Sequence, residues 1–292
     1  MRAVRLALGL LALFALVASL CACAPLAEAA PEAPPAQPRR ERIVFCSDRS
    51  GEWRIWVMDS DGSGMTQLTR GTPDDADVDP ALGPDGAAIL FTSTRGGKAG
   101  VWRMESDATE SERVCDGDQA EWSPDGTRIA FRRDGAVFVR ELAGGAEQRL
   151  TPADWLPCSG PAWSPDGGRI AFAGLRDGAN ALYVVEAGGG PPSLVYDKQG
   201  ACEPHWSPDG QLIAYETETH VCTIKPDGTG NRLITYFGGL QHYPRWSPDG
   251  KDLVFCQGAS EGGPWEIYAI PSAGGQPRRL TEGGSDLYPD WK

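Results

Sequence analysis

The sequence predicts an all-β fold, a six-bladed β-propeller, and three observations support this prediction. Trp-Ser-Pro-Asp-Gly occurs four times and Leu-Gly-Pro-Asp-Gly once, at 82–86, 122–126, 163–167, 206–210 and 246–250. The aspartates of successive copies are 40, 41, 43 and 40 residues apart, a period typical of one supersecondary unit repeated around or along an axis. Short apolar runs of strand length follow every copy, and no helical period occurs beyond the N-terminal leader.

Each repeat predicts four short antiparallel strands. The turn stands between a strand that ends on Trp and a second strand such as Ile129–Phe131. In that turn Pro sets φ at the first central position and Gly accepts the left-handed exit. A polar loop then leads to a third run, such as Val137–Val139, and a Gly-rich turn leads to a closing Arg-Leu-Thr, as at 149–151. Four strands in about 40–45 residues describe one propeller blade.

Two incomplete units at the ends of the repeat region predict how the ring closes. Residues 42–69 hold three strands without a leading Trp strand, whereas 286–292 hold a leading strand with Pro-Asp-Trp and nothing after it. Together they complete a sixth blade, so we expect the C-terminal strand to join the N-terminal blade within one domain, 42–292. Closure removes the open sheet edges that a solenoid or a sandwich would expose.

The N-terminal residues 1–22 have the pattern of a secretory signal. A basic start, Met-Arg-Ala-Val-Arg, is followed by an apolar run from Leu6 to Leu20 and by small residues. Leu-Cys-Ala-Cys at 20–23 resembles a bacterial lipobox, which favours lipidation of Cys23 and membrane attachment through a lipid anchor only. Ordinary cleavage further on, at an Ala-x-Ala pattern, is the alternative.

Residues 23–41 predict a linker. They are rich in Pro and Ala, a composition that builds no core and favours extended polyproline II. We therefore expect an exported protein, in the periplasm or the outer envelope, whose propeller is tethered to a membrane and is monomeric.

The charge of the chain restricts its partners. The formal net charge is −13, and removal of Arg2 and Arg5 with the signal makes it more negative. Binding to phosphate backbones needs basic surface, so nucleic acid is excluded as a partner. A protein or peptide of the cell envelope is the expected partner.

Six cysteines lie beyond the leader and leave several alternatives open. An even number in an oxidising compartment permits disulfides. Cys158 and Cys202 begin the leading strands of neighbouring blades and can meet, whereas Cys46 and Cys256 hold equivalent positions that diverge with radius. Buried free thiols are an equally good interpretation. No zinc-binding spacing occurs among them.

Catalytic patterns are sparse. The segment 258–262 fits Gly-x-Ser-x-Gly, but it lies in a hairpin loop and no His follows it, so it is not expected to be a nucleophile elbow. His205, His242 and Glu203 lie near the channel in adjacent blades. They support an alternative hypothesis, a metal-assisted lyase or hydrolase at the channel mouth.

Acidic and aromatic residues give the binding candidates. Oxygen ligands from Asp77, Asp79 and Asp118 point to Ca²⁺ as a candidate ion in the channel, although such residues are more often a solvated rim. No other cofactor is expected. The Trp residues that recur at the blade period are expected to pack between blades. Aromatic residues outside the repeat frame are better contact candidates, namely Tyr243, Tyr288, Trp155, Tyr236 and Phe237.

The repeats also resemble a known family. Pro-x-Trp-Ser-Pro-Asp-Gly followed by Ile-Ala-Phe, then Leu-Tyr, Asp-Gly and Arg-Leu-Thr, is similar to the WD40-like (PD40) repeat of TolB-type propellers, over about 42–292. The resemblance implies a six-bladed periplasmic propeller that docks an envelope lipoprotein. TolB-type proteins carry an α/β domain ahead of the propeller, where this sequence has the Pro-rich segment. We therefore expect a propeller-only relative, to which the specific partner need not transfer.

The hypothesis that these observations favour is a non-enzymatic propeller that binds a protein or peptide at its channel-side face, where rigid blades present loop residues. A passive envelope scaffold is the remaining alternative. The predicted contact set combines acidic residues, one histidine and two tyrosines: Asp77, Asp79, Asp118, Glu203, His242, Tyr243, Asp286 and Tyr288.

Overall fold

The computed structural model describes residues 41–292 except 156, 157, 177 and 199. It describes the backbone but not the side chains of Arg176 and Ala179. The predicted signal, the linker to residue 40 and Cys23 lie outside the described residues. Within the described part the chain forms strands connected by turns and loops, with no helix.

The first three blades, together with the first strand of the fourth, contain β1 (Arg42–Ser47), β2 (Arg54–Asp59), β3 (Thr66–Gln67), β4 (Asp77–Leu82), β5 (Ala88–Ser93), β6 (Gly100–Glu105), β7 (Ser111–Asp116), β8 (Asp118–Trp122), β9 (Arg128–Arg133), β10 (Ala136–Glu141), β11 (Glu147–Arg149) and β12 (Cys158–Trp163). The remaining strands are β13 (Arg169–Arg176), β14 (Ala179–Glu186), β15 (Ser193–Tyr196), β16 (Cys202–Trp206), β17 (Ile213–Glu216), β18 (Val221–Ile224), β19 (Arg232–Leu233), β20 (Leu240–Trp246), β21 (Asp252–Gly258), β22 (Trp265–Pro271), β23 (Arg278–Arg279) and β24 (Asp286–Trp291).

The strands form six four-stranded antiparallel sheets, so the predicted six-bladed propeller is confirmed. Blades two to six are β4–β7, β8–β11, β12–β15, β16–β19 and β20–β23, and blade one has the order β24-β1-β2-β3. Ile43 pairs with Trp291 and Ser47 with Asp286. The last strand therefore completes the first blade and closes the ring, as the sequence predicts.

The first strand of each sheet lies innermost. These inner strands are β4, β8, β12, β16, β20 and β24, and each contacts the next around a central channel. All six start at one end of the channel, which we call the entry face. Five of them end at the Pro-Asp-Gly turns and β24 ends at Trp291, all at the opposite end, which we call the turn face.

The core lies between the sheets. The second strand of each blade buries one aromatic side chain almost completely: Phe45, Phe91, Phe131, Phe172, Tyr215 and Phe255. Burial of one such side chain contributes about 1.5–3 kcal/mol. The repeating Trp residues are also buried, and Trp122 donates Nε1–H to the carbonyl of Ala81 in the preceding blade at 3.1 Å. Their predicted packing role between blades is confirmed.

The same residues recur in these turns because they bond one another within the turn. In the third blade Ser123 Oγ donates to Asp125 Oδ1 at 2.6 Å and accepts the backbone N–H of Arg128 at 2.9 Å. The altered copy has Gly83 in place of Ser, yet its Asp85 still accepts the N–H of Ala87 at 2.9 Å. The aspartate alone therefore suffices to form the turn.

Candidate functional site

A ring of six backbone bulges surrounds the channel. Each inner strand shifts its register against the second strand three residues before its final Trp or Leu. The residue there has a left-handed φ between 46° and 58°. We call this set the bulge ring: Asp79, Gln119, Gly160, Glu203, Tyr243 and Tyr288. Only one of the six positions is glycine, the residue for which this conformation costs least.

Side chains from the preceding blade satisfy most of the backbone N–H groups that the bulges free. Glu216 Oε2 accepts the N–H of Tyr243 at 2.6 Å, and Thr92 Oγ1 accepts that of Gln119 at 3.2 Å. The thiols of Cys46 and Cys256 accept the N–H groups of Asp79 and Tyr288. All four acceptors follow the buried aromatic residue of the second strand. This position therefore fixes the bulge ring from outside.

Two tyrosines of the bulge ring form one unit. The rings of Tyr243 and Tyr288 lie 4.0 Å apart between centroids, and their hydroxyls are 3.1 Å apart. Burial raises the pKa of both phenols, so both stay protonated and able to donate hydrogen bonds at neutral pH. The pair gives the channel an aromatic edge with two hydroxyls.

Two carboxyls of the bulge ring are held in a poorly solvated place. Burial raises the pKa of Asp79 to about 6; Thr92 lowers it by donating a hydrogen bond, and nearby Asp118 raises it. Burial raises the pKa of Glu203 to about 7, and the charge of Glu216 adds to the effect. Both border a cavity of about 20 Å³. That volume is about the room that one water molecule needs.

Three predicted aspartates bind arginines. Asp77 and Asp286 are fully buried, and both carboxylate oxygens of each accept hydrogen bonds from one nitrogen, Nη2, of Arg95 and of Arg49, with shortest distances of 2.9 and 2.6 Å. Asp118 pairs with Arg132 at 2.6 Å. Asp77 and Asp286 therefore hold blade loops in place and present no surface to a partner, which corrects their assignment as contact residues.

The same pairs decide whether the predicted calcium ligands fit an ion. The carboxylates of Asp77 and Asp118 are paired with the guanidinium groups of Arg95 and Arg132. Of the three predicted calcium ligands, only Asp79 is not paired with an arginine. Among residues 41–292, outside the gaps named above, no three His, Cys, Asp or Glu side chains form a group that could hold a metal. The three aspartates Asp77, Asp79 and Asp118 therefore do not fit Ca²⁺.

The predicted histidines lie at opposite ends of the channel. His242 Nδ1 lies 3.2 Å from Glu216 Oε1, at a groove of the entry face. His205 borders the turn face, and its Nδ1 accepts the backbone N–H of Trp246 at 3.4 Å. Glu203 contacts neither histidine through a hydrogen bond; its Oε1 accepts one from Gln119 Nε2 at 3.2 Å. These three residues, proposed as the centre of an enzyme, are not brought together.

The groove beside His242 is acidic. It has a volume of about 640 Å³ and opens between the fourth, fifth and sixth blades. Asp197, Glu216, Glu218 and Glu261 line it, and no Lys or Arg does among the side chains that the structure describes, which do not include Arg176. Burial lowers the pKa of His242, but the hydrogen bond and charge of Glu216 outweigh burial, and the pKa is raised.

Sequence reasoning missed Glu216, Gln119 and Arg245. Gln119 holds the same place in its repeat as Asp79 and Tyr243, so alignment of the repeats on the Trp signals it. Arg245 stands immediately before a repeat Trp, points to the cavity of the bulge ring and lies in none of the ion pairs within the described residues. Glu216 follows the strand-two aromatic residue, a position that only the structure connects to the bulge.

Other expectations have clear outcomes. All six cysteines of the described residues are free, so Cys158 and Cys202 form no disulfide. Trp155 is buried and packs on Tyr183 with ring centroids 4.5 Å apart, so it is not an exposed contact aromatic. Tyr236, by contrast, is 66% exposed.

Within the described residues, no helix is long and apolar enough to cross a membrane.

Comparison with known proteins places these features in a family. The family model described as the TolB beta propeller domain matches residues 26–153 and 119–292. The chain is 32% identical over 160 residues to Protein TolB homolog of Chlorobium luteolum, and the match covers 52% of this chain and 36% of that protein. It is 29% identical over 177 residues to an uncharacterized protein of Agrobacterium fabrum, covering 58% and 59% respectively. The chain thus spans less than two thirds of either relative.

Solved structures share the fold. TolB from Acinetobacter baumannii superposes with a TM-score of 0.74 at 18% identity, over 86% of this chain and 66% of that one. An oligogalacturonate lyase in complex with manganese superposes with a TM-score of 0.56 at 17% identity, over 84% and 74%. The fold therefore occurs in an enzyme as well as in TolB. By its repeats, its six closed blades and the match over most of its length, the chain belongs to the TolB β-propeller domain family.

Proposed function

We propose that this chain is a cell-envelope propeller without enzymatic activity that captures a protein or peptide partner at its entry face. A projecting segment of the partner contacts the bulge ring, and the blades act as a rigid frame. The family membership supports a protein-binding role in the envelope. The contact set now comprises Asp79, Glu203, Tyr243 and Tyr288, with His242 and Asp118 at the edge.

The bulge ring carries this proposal. A non-glycine residue in the left-handed region costs on the order of 1 kcal/mol or more, and such strain collects at functional sites. Five of the six ring positions keep a side chain despite this cost. Each of these residues is turned into the channel by its bulge. The fold thus accepts strain at the place where a partner can reach the channel.

The chemistry of the ring suits a peptide. Stacked tyrosines offer an aromatic face together with hydroxyls, the combination favoured at the centre of interfaces. Asp79 and Glu203 titrate near neutral pH, so they bind either a hydrogen-bond acceptor when protonated or a cationic group when ionised. The acidic groove beside His242 extends the surface outward.

Export and anchoring complete the proposal. The leader pattern at 1–22 and the lipobox-like 20–23 support transport to the envelope and lipidation of Cys23. The Pro-rich residues 23–41 would then act as the tether. Mass spectrometry of the mature N-terminus tests this part, because a lipidated Cys23 and a cleaved, unmodified N-terminus have different masses.

The absence of enzymatic activity is also part of the proposal. His205 and His242 lie at opposite ends of the channel, and each ring is already engaged through Nδ1. Metal analysis of the purified protein after dialysis tests this. A stoichiometric transition metal would favour the lyase or hydrolase hypothesis over ours.

Photocrosslinking in the native envelope tests partner capture. A photoreactive residue at exposed Glu261 borders the entry face, and one at exposed Thr127 provides a matched control on the turn face. We expect one discrete adduct from position 261 and none from position 127. The double substitution Tyr243→Ala, Tyr288→Ala should abolish this adduct while the circular dichroism spectrum stays that of a β-propeller.

The passive-scaffold hypothesis makes the opposite prediction. A scaffold has no preferred face, so both positions would give similar weak adducts, and the tyrosine substitutions would change neither. That result would contradict the proposed function.

A further inference from the structure

A second cavity opens at the other end of the channel and is independent of the entry-face proposal. It is a funnel of about 260 Å³ on the turn face. Its wall is built by the Trp-Ser-Pro segments that end the inner strands, and exposed prolines form its rim. The rim prolines are Pro84, Pro124, Pro165, Pro208 and Pro248.

The floor of the funnel is polar. Glu121, His205 and Lys292 border it, each from a different inner strand or its end. Arg245 and Asp290 lie behind them and act electrostatically on the pKa of Lys292. The two remaining inner strands have Ala81 and Ala162 at this level and add no charge. Apolar walls with a few convergent polar groups are the usual form of a small-molecule site.

Two groups of the floor are donors, and they lie near two carboxyls, Glu121 and Asp290, of which Asp290 Oδ1 has no hydrogen-bond partner among the described residues. His205 Nδ1 accepts a backbone N–H, and burial lowers the pKa of His205, so the neutral ring carries its proton on Nε2. Lys292 Nζ has no hydrogen bond or ion pair within the described residues, yet Asp290 and Glu121 keep its pKa raised against the effect of burial. Both groups are thus donors without an acceptor.

Two tryptophans of the wall add unpartnered donors. The indole N–H groups of Trp163 and Trp206 are buried and have no hydrogen-bond acceptor among the described residues. The equivalent groups of Trp122 and Trp246 do bond a carbonyl of the preceding blade, each at 3.1 Å. Both tryptophans are at least nine-tenths buried. The wall therefore contains two buried donors that have no partner among the described residues.

We propose that this funnel binds a small molecule with an apolar body and a carboxylate, with the carboxylate on Lys292 Nζ and His205 Nε2–H and the body against the Trp-Ser-Pro wall. A carboxylate supplies one acceptor to each of these two donors, neither of which forms a hydrogen bond with Glu121 or Asp290, and a charge-assisted hydrogen bond to an ammonium is among the stronger polar contacts. Proline and indole surfaces accept the apolar part.

Glu121 makes the binding depend on pH. Burial raises the pKa of Glu121 to about 7; Asp290 raises it, and Lys292 and Arg245 lower it. An incoming anion favours the protonated form of Glu121, so its binding takes up a proton. Affinity should therefore increase as the pH falls from 8 to 6, a window in which neutral His205 stays uncharged.

The test uses octanoate as the probe, with 1-octanol and octylamine as analogues of equal length. Titration calorimetry gives the affinity, and tryptophan emission reports the location, because five tryptophans line the funnel. We expect octanoate to bind more tightly than both analogues. Lys292→Met should weaken octanoate about tenfold or more, the effect of one charge-assisted hydrogen bond. Glu121→Gln should remove the pH dependence.

Lys251→Met is the matched control, since Lys251 is 80% exposed on the same face and pairs with Asp249. It should leave octanoate affinity unchanged. Tighter binding of octylamine, equal binding of octanol, equal effects of the two lysine substitutions, or no binding of octanoate at millimolar concentration would each overturn the proposal. None of these outcomes bears on the entry-face partner.

Discussion

Glu216 holds Tyr243 in its left-handed conformation across a blade boundary. Oε2 of Glu216, at the end of the second strand of blade five, accepts the backbone N–H of Tyr243 in the inner strand of blade six at 2.6 Å. Its other oxygen lies 3.2 Å from Nδ1 of His242. One carboxylate thus fixes both the bulge and the neighbouring imidazole.

Replacement of Glu216 should be visible as a change in the titration of His242. Burial lowers the pKa of His242, and the hydrogen bond and charge of Glu216 raise it above the ordinary value. Glu216→Gln keeps an acceptor but removes the charge, so the pKa of His242 should fall. NMR titration of the imidazole proton measures this change.

Glu261→Gln is the control for that experiment, because Glu261 raises the pKa of His242 through charge alone. Its effect should be in the same direction and smaller. An unchanged His242 pKa in Glu216→Gln would mean that the carboxylate does not hold the ring.

Gly160 is the one glycine of the bulge ring, and we expect Gly160→Ala to be costly. A Cβ there would lie 3.0 Å from both Cα and Oε2 of Glu203. Gly144→Ala is the matched control, because Gly144 also has a positive φ, +84°, and no atom lies within 4 Å of its Cβ position. Left-handed strain alone costs about 1 kcal/mol. Chemical denaturation should show a larger loss for Gly160→Ala; equal losses would mean that Glu203 moves freely.

The sequence predicted the blade count and closure because the contacts that build a blade recur inside each repeat. Ser123 and Asp125 bond each other within one pentapeptide, and a Trp precedes the Ser in four of the five copies, so the pattern is visible without structure. The strand at 286–291, which has no following strands of its own repeat, was recognisable because it carries the Pro-x-Trp pattern of a leading strand. Tyr243, Tyr288, Asp79 and Glu203 were placed near the channel by their position in the repeat frame alone.

The remaining site could not be predicted because its contacts lie outside the repeat. Arg95 reaches Asp77 from a hairpin loop, as Arg49 reaches Asp286, and although Ser-x-Arg recurs at 47–49 and 93–95, only the fold shows that its Arg bonds the first residue of the inner strand. Glu216 occupies a position filled by Cys46, Thr92 and Cys256 in other blades, residues with little in common except an acceptor atom. Alignment identifies the position, but only the fold shows what it bonds.

The ion pair of Asp77 and Arg95 should contribute far more to stability than a surface pair. Asp77 is fully buried, and removal of one partner of a buried pair costs about 3–5 kcal/mol. Because Arg95 is 24% exposed and can regain water, we expect Asp77→Ala to lie near the lower limit. Glu105→Ala breaks the exposed pair with Arg103 and should cost about 1 kcal/mol or less. Equal midpoint shifts in urea for the two variants would contradict the structural role given to Asp77.

Two tryptophans with the same place in the repeat should respond differently to Trp→Phe. Trp122 loses a hydrogen bond to the carbonyl of Ala81, whereas the indole N–H of Trp163 has no acceptor among the described residues. Both substitutions remove similar apolar area. Trp122→Phe should therefore cost about 1 kcal/mol more than Trp163→Phe, the net value of one buried hydrogen bond. Thermal denaturation of the pair measures the difference, and a larger cost at position 163 would contradict this assignment.

The carboxyls of the bulge ring should make the protein less stable as pH rises from 5 to 8. Burial raises the pKa of Asp79 to about 6 and that of Glu203 to about 7, from ordinary values of 3.8 and 4.5. Within this window the folded state binds more protons than the unfolded state, so the free energy of unfolding falls with increasing pH. A shift of about two units in one group corresponds to about 3 kcal/mol.

Glu203→Gln tests this effect against the contributions of the histidines. His205, with a lowered pKa, gains stabilisation as pH rises, and its contribution is the same in wild type and variant. His242, with a raised pKa, loses stabilisation as pH rises, and removal of the Glu203 charge makes that loss smaller, in the same direction as the main effect. Urea denaturation at pH 5, 6, 7 and 8 should show a steep decline for wild type and a shallower one for the variant. The two curves should lie closest at pH 5, diverge between pH 5 and 7, where folded Glu203 keeps a proton that the unfolded chain has lost, and keep a constant separation above 7. Parallel curves would show that Glu203 is well solvated, and the cavity of the bulge ring would then be open to bulk water.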